Sequence, residues 1–189
     1  RLSADVINIS EYSSSSVKGE NLIDTALNLE AMHPDIMVVR HSLSGIPEML
    51  SQFVECPIIN AGDGYHEHPT QALLDLQTIR EAKGTLMGLN VVIVGDIAHS
   101  RVVRSNIYAM KTMGMHVKLI GPPTMIPLGI EKMGVSVGYN LEDSIKGMDV
   151  IMMLRLQKER QSKYLLSSIR EYSNLYCLTS KLLEKAKDD

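Results

Sequence analysis

The stretch Val91-Val92-Ile93-Val94-Gly95-Asp96 decides the fold class. Four consecutive apolar residues, rich in β-branched side chains and without alternation, are typical of a strand buried on both faces. Apolar residues with helical spacing follow at Val102, Ile107 and Met110, and a second run of strand type lies at Val117–Ile120. Strand–helix–strand order of this kind predicts a parallel sheet covered by helices.

The same alternation extends toward both ends of the chain. The predicted strands are Val6–Ile9, Ile36–Val39, Pro57–Ile59, Val91–Val94, Val117–Ile120 and Val150–Leu154. Helical spacing links Leu22, Ala26 and Leu29, and again Leu73, Leu76 and Ile79. A break near Gly84 and Gly88 separates an acidic first part from a basic second part. We therefore predict an α/β protein of two doubly wound parallel-sheet domains, residues 1–83 and 84–189.

Composition excludes several classes of protein. The chain has 189 residues, of which 44% are hydrophobic and 22% charged, as expected of a soluble globular protein. Its apolar runs are too short to span a membrane, and its net charge of −3 argues against a general nucleic-acid binder. Cys56 and Cys177 do not form a disulfide framework, and no secretory signal is evident. We expect a cytoplasmic location.

Cationic side chains and one imidazole follow the carboxyl ends of five predicted strands. They are Lys18, Arg40, His68, Arg101 and Arg155. Ligands of open parallel sheets bind at this edge, and arginine binds carboxylate or phosphate oxygens in pairs. The pattern predicts an anionic ligand with several charged groups. The alternative is that each strand end only requires a polar residue that meets water.

The segment from His68 to Ile79 is the most specific signal. Pro69 suits the first turn of a helix, Leu73, Leu76 and Ile79 would form its apolar stripe, and His68, Gln71 and Asp75 would share another face. The positive end of the helix dipole disfavours an imidazolium, and a neutral imidazole can donate to a carbonyl oxygen. A capping histidine on a solvent-exposed face is the alternative.

Two further readings are weaker. His66-Glu67-His68 has the alternate spacing of a metal pair, but no third ligand is evident, so we predict no metal. Gly95-Asp96 precedes a helix as a nucleotide-binding loop would, but the G-x-G-x-x-G pattern is absent.

These motifs resemble those of aspartate carbamoyltransferase catalytic chains, in the order of that family and over most of the 189 residues. Asn60–Gly64 followed by His68–Asp75 is similar to its carbamoyl-phosphate helix. Arg155–Arg160 is similar to its aspartate-binding loop, and Gly95–Arg101 to a loop of its second domain. Ser14 with Lys18-Gly19-Glu20 is similar to the mobile loop that a neighbouring subunit contributes.

The resemblance implies transfer of a carbamoyl group from carbamoyl phosphate to the amine of L-aspartate, an early step of pyrimidine synthesis. It implies no cofactor and no metal. It also implies a homotrimer with shared active sites, with regulatory chains as further partners, and no nucleic acid or membrane.

The resemblance also implies a role for each motif residue. Arg40, His68 and Gln71 would be catalytic and would bind carbamoyl phosphate, together with Ser14 and Lys18 of the adjacent subunit. Aspartate would be bound by Lys18, Arg101, Arg155 and Gln157, and Arg160 would stabilise the closed arrangement of the domains.

Two motifs of the family are missing, a Ser-Thr-Arg-Thr loop before Lys18 and a His-Pro-Leu-Pro loop near the end. We interpret the chain as an internal fragment whose first domain lacks an N-terminal part and whose second lacks a C-terminal part. Its activity in isolation is open. The alternatives are a carbamoyltransferase with another amino-acid acceptor and an inactive metabolite-binding homologue.

Overall fold

The computed structural model describes residues 3–9, 21–156 and 168–186, within which helices and strands alternate. In chain order the elements are α1 (Leu22–Glu30), β1 (Met37–His41), α2 (Ile46–Leu50), β2 (Ile58–Asp63), α3 (Pro69–Lys83), β3 (Asn90–Val94), α4 (Arg101–Thr112), β4 (His116–Ile120), β5 (Ser136–Gly138), α5 (Leu141–Ser144), β6 (Val150–Met153), α6 (Ile169–Tyr176) and α7 (Ser180–Leu183). Within the described ranges, no helix is both long and apolar enough to cross a bilayer.

The strands form two parallel sheets. The first sheet pairs β1 with β2, and the second sheet has the order β5-β4-β3-β6. Because β6 returns to the opposite side of β3, the strand order reverses between these two strands. In open parallel sheets, the crevice that binds ligands lies beyond the carboxyl ends of the strands at such a reversal. The predicted α/β class with parallel sheets is confirmed.

The four-stranded sheet carries helices on both faces. Val91 and Ile93 of β3 pack on the side of α3 and α4, whereas Val92 and Val94 pack with α5 and α6 on the other side. All four side chains are fully buried. The unbroken apolar run therefore has the cause inferred from sequence, which is that both faces of β3 are covered.

Helix α3 buries its apolar face in the core of this second sheet. Leu76 and Ile79 belong to the same cluster as Val91 and Ile93 of β3. The predicted stripe is wrong at Leu73, which is 65% exposed, while Ala72 is buried. Positions four and seven residues after Ala72 stay on one side of a 3.6-residue helix, and Leu73 is rotated away from them.

The first sheet is less covered than predicted. Val6–Ile9 is not a strand: residues 3–9 form no regular element, and Val6 is 73% exposed. No described strand lies beside this segment to supply a hydrogen-bond ladder. β1 is also not buried on both faces, since Val38 is 67% exposed. The small core of Ala26, Leu50 and Val54 is built largely by α1 and α2.

Several further elements differ from the prediction. The predicted helices and strands do not include α2, β5, α5 or α6. Of these, α2, β5 and α5 are short and lack a distinctive pattern. The last described helix, α7, comprises only Ser180–Leu183 and is followed by turns as far as residue 186. None of the residues of α7 is buried, so tertiary packing does not support a longer helix.

Candidate active site

Asp63 organises the carboxyl ends of β1 and β2. Its carboxylate is 1% exposed and accepts the backbone N–H of Gly45 at 2.7 Å and that of Glu67 at 2.8 Å. Burial alone would raise the pKa of Asp63, but these hydrogen bonds, with others from Asn60 and His66, hold it below its usual value. The loop after β1 and the loop before α3 are thus fixed to one charged group.

His68 stands at the N-cap of α3 and is held by α4. Its backbone N–H donates to Ser105 Oγ at 2.7 Å, and the Ser105 hydroxyl donates to the Glu67 carboxylate. The Thr70 hydroxyl lies 3.2 Å from His68 Nδ1. Backbone and imidazole of His68 are therefore both fixed by neighbouring hydroxyls.

The His68 imidazole lies in a strongly positive environment. Burial lowers its pKa first, and the positive charges of Arg101 and Arg40 lower it further, while Asp75 acts in the opposite direction. The expected neutral imidazole agrees with this direction, for which desolvation and the charges of two guanidinium groups are the main causes. Arg40 and Arg101 are thus both within electrostatic range of one ring.

Arg101 opens α4 and points toward the end of β2. The residue is only 6% exposed, and a Cβ placed on Gly62 would lie 2.7 Å from its Cζ atom. Gly62 has a φ of +115° and donates its N–H to Asn60 Oδ1 at 2.7 Å. Gly62 therefore leaves room at the end of β2 for the Arg101 guanidinium, which comes from α4.

Gln71, one turn after His68, is part of a hydrogen-bonded chain. Gln71 Nε2 donates to Asp75 Oδ1 at 2.9 Å, and Asn106 Nδ2 on α4 donates to Asp75 Oδ2 at 2.7 Å. Gln71 and Asp75 therefore share one face of α3, as predicted.

A second group of polar side chains lies beyond the carboxyl ends of β3 and β6. Leu154 N–H donates to Val94 O at 2.8 Å, and a Cβ on Gly95 would lie 2.9 Å from Leu154 Cβ. Asp96 is fully buried, and its carboxylate lies 2.8 Å from His99 Nδ1.

Arg155 follows β6 at this same crevice and is exposed. It therefore lies at the carboxyl edge of the second sheet, as predicted.

The predicted site residues fall into three groups. The charges of Arg101 and Arg40 act on His68, Gln71 lies about one helical turn along α3 from His68, and Arg40 is an exposed residue within β1. Arg155 lies apart from these, after β6. Ser14, Lys18, Gln157 and Arg160 lie outside the described residues. The strand that was to deliver Lys18 is absent from the described segment 3–9.

Sequence reasoning missed the side chains that hold this site together. Ser105, Asn106 and Gly62 each contact a site residue from another element. No spacing rule connects Ser105 with a residue 37 positions earlier. The i, i+4 relation of Gln71 to Asp75 was a usable signal, because such pairs are neighbours on a helix.

A metal site has no support within the described part of the chain. There, no group of three or more His, Cys, Asp and Glu side chains could hold an ion. His66, considered above as half of a metal pair, lies 3.2 Å from Asp63 and is half exposed.

Comparison with known proteins agrees with this arrangement. Residues 1–81 match the model of the aspartate/ornithine carbamoyltransferase carbamoyl-P binding domain, and residues 87–189 match that of the Asp/Orn binding domain. A relative from Syntrophus aciditrophicus, an aspartate carbamoyltransferase catalytic subunit, is 60% identical over all 189 residues. One from Syntrophotalea carbinolica, of the same name, is 57% identical over the whole chain.

Solved structures show the same likeness. The aspartate transcarbamoylase of Trypanosoma cruzi, in complex with N-(phosphonacetyl)-L-aspartic acid, superposes with a TM-score of 0.85 at 30% identity and covers the whole chain. The chain spans 62% of that protein, and 62% and 60% of the two bacterial relatives. With a family model matched over more than half of its residues, the chain belongs to the aspartate/ornithine carbamoyltransferase family.

Proposed function

We propose that the protein containing this chain transfers the carbamoyl group of carbamoyl phosphate to the amine of L-aspartate. The products are N-carbamoyl-L-aspartate and phosphate, and the step belongs to de novo pyrimidine biosynthesis. The observation that carries the proposal is that the Arg101 guanidinium on α4 lies against Gly62 at the carboxyl end of β2. This is the strand that leads into His68 at the N-cap of α3. A guanidinium and an imidazole at one strand end suit an anionic acyl phosphate, in which a phosphate is bonded to a carbonyl carbon.

The reaction needs positioning and charge stabilisation. The aspartate amine attacks the carbonyl carbon to form the new C–N bond, the C–O bond to phosphate breaks, and its electron pair leaves with phosphate. The phosphate can take the proton that the amine loses. Holding both reactants in contact and stabilising the developing oxyanion are therefore the protein's main contributions.

Three residues would act on carbamoyl phosphate. Arg40 and His68 would donate to the carbonyl oxygen, with Arg40 also near the phosphate. When the Thr70 hydroxyl donates to Nδ1, His68 carries its hydrogen on Nε2, which would be the donor. Gln71 would accept from the carbamoyl amino group. Ser14 and Lys18 of an adjacent subunit would reach the phosphate.

The acceptor would be bound by the second unit. Arg101 and Arg155 would hold the aspartate carboxylates, with Lys18 and Gln157 beside them, and Arg160 would stabilise domain closure. The family model covers both aspartate and ornithine as acceptors. Arg155 at the crevice favours aspartate, because ornithine carries a cation where aspartate has its second carboxylate.

The remaining organisation follows the family. We propose residues 1–83 as the carbamoyl-phosphate unit and 84–189 as the aspartate unit, in a cytoplasmic homotrimer whose sites are shared between subunits. Regulatory chains would be further partners.

The full-length protein, supplied with radiolabelled carbamoyl phosphate, tests the reaction. We expect labelled N-carbamoyl-L-aspartate with aspartate and no product with ornithine. A preference for ornithine would overturn the acceptor assignment. Tight binding of carbamoyl phosphate without turnover of any amino acid would favour the inactive homologue instead.

A further inference from the structure

We propose that Asp75 is a positioning residue that holds the Gln71 carboxamide in register for the carbamoyl group, with Asn106 fixing Asp75 from the other unit. The inference rests on the proposed function, since it assigns a supporting residue to the same site. The three side chains form a continuous chain, Gln71 to Asp75 at 2.9 Å and Asn106 to Asp75 at 2.7 Å.

The carboxylate determines which way the Gln71 amide faces. An ionised carboxylate only accepts hydrogen bonds, so the NH2 end of Gln71 must face Asp75. Gln71 Oε1 is then directed away from Asp75. An acceptor oxygen in that place suits the NH2 group of carbamoyl phosphate. A flipped Gln71 amide would instead place its own NH2 group, also a donor, against it.

The burial of Asn106 destabilises the fold in a way that its packing does not offset. The residue is fully buried on α4 beside Val103, Ile107 and Met110, and its Oδ1 atom has no hydrogen-bond partner. A buried acceptor without a partner destabilises the folded state, and an apolar residue would avoid this. The other end of the same amide donates to Asp75 Oδ2. Holding that carboxylate is the compensating role the contacts provide.

A second pair on the same helix supplies a matched control. Gln77 Nε2 donates to Glu81 Oε1 at the same i, i+4 spacing, but both residues are exposed. Asp75 instead is half-buried and has a partner on α4. Glu81→Gln therefore measures the effect of weakening an i, i+4 hydrogen bond on α3 that lies away from the proposed site.

The experiment is a double-mutant cycle in the full-length protein. Asp75→Asn, Gln71→Ala and the double variant are compared by kcat/KM for carbamoyl phosphate and by its Kd from calorimetry. We expect Asp75→Asn to lower kcat/KM about 10- to 100-fold, as misplacement of a substrate-binding group does. We expect no further loss when Gln71 is already alanine, and no change for Glu81→Gln.

Asn106→Leu separates positioning from folding. Leucine branches at the same carbon, removes the unpartnered Oδ1 atom, and leaves Asp75 accessible enough for water to bind it. We expect the melting temperature to be kept or raised while kcat/KM falls, with the KM for aspartate unchanged. A purely structural Asn106 would lower both, which would contradict the proposal.

The outcomes separate this inference from the proposed function. Additive losses from Asp75→Asn and Gln71→Ala would overturn the positioning role even in an active enzyme. A wild-type protein that binds carbamoyl phosphate but does not carbamoylate aspartate would overturn the proposed function. In that case, the Kd values of the single and double variants for carbamoyl phosphate would still show whether Asp75 acts through Gln71. Absence of any carbamoyl phosphate binding would overturn both.

Discussion

The guanidinium of Arg101 lies against the backbone of Gly62, so that a methyl group on the glycine would come within 2.7 Å of Cζ and 2.9 Å of one terminal nitrogen. Arg101 is the first residue of α4, which packs on the four-stranded sheet, and Gly62 lies in β2 of the two-stranded sheet. Arg101 of α4 can therefore reach the end of β2 only because residue 62 has no side chain.

Gly62→Ala should displace Arg101 and lower activity. Alanine at this positive φ also strains the backbone, so Gly88→Ala is the control, since Gly88 has a φ of +79° and open space around it. We expect kcat/KM to fall about 10- to 100-fold for Gly62→Ala alone. Equal losses in the two variants would show that strain, and not the displaced guanidinium, is responsible.

The pKa of His68 should lie below 6.5 in the folded protein, because burial and the charges of Arg101 and Arg40 disfavour the imidazolium. Titration of the His68 ring protons by NMR measures it directly. Arg101→Gln should raise the value, whereas Arg104→Gln, an exposed change on the same helix, should leave it in place. A wild-type value at or above 6.5 would contradict the electrostatic picture.

The same shift predicts how stability depends on pH. The unfolded chain takes up the His68 proton near pH 6.5, and the folded chain resists it until a lower pH. The free energy of unfolding should therefore decrease as the pH falls from about 6.5 to the folded pKa. Denaturant unfolding of wild type and His68→Asn across that range should show the decrease reduced in the variant.

Arg155→Ala should weaken the use of aspartate far more than the binding of carbamoyl phosphate, because Arg155 follows β6 of the second sheet. Loss of one charged hydrogen-bonding partner is worth about 1.5–3 kcal/mol, or about 10- to 100-fold in the KM for aspartate. Lys146→Ala, an exposed cation paired with Asp143, serves as the control. Equal losses for both substrates would refute this division of labour.

Lys18, which lies outside the described residues, should act on the His68 of a neighbouring subunit. Mixing two inactive full-length variants, Lys18→Ala and His68→Ala, should restore part of the activity, because some interfaces then combine two intact partners. Mixed trimers that form without any recovery would place Lys18 in its own chain's site.

The sequence predicted the second sheet better than the first, and packing explains why. Val91–Val94 is covered on both faces, so burial and apolar pattern agree there. Val6–Ile9 is also mostly β-branched, although it contains Asn8, but no described strand pairs with it. A pattern reports the preference of a segment and cannot report whether a partner lies beside it.

The site shows the same limit. Arg40, His68 and Arg101 could be predicted because each lies near the carboxyl end of a strand, and parallel strands bring such ends to one edge of a sheet. The prediction differs in that Arg40 lies within β1 and not after it. Asn106 and Ser105 lie on one helix and act on another, so their roles depend on how α3 and α4 pack. Only the three-dimensional contact carries that information.

The burial of Leu76 and Ile79 of α3 against the second sheet has a consequence for how the chain unfolds. Separation of residues 1–83 from the rest would expose these side chains to water, at about 25 cal/mol for each Å² of apolar surface. We therefore expect a single cooperative unfolding transition across both units. A chain divided at the glycines after α3 would remove Leu76 and Ile79 from the core of the second sheet, whereas the small core of Ala26, Leu50 and Val54 would keep all of its members.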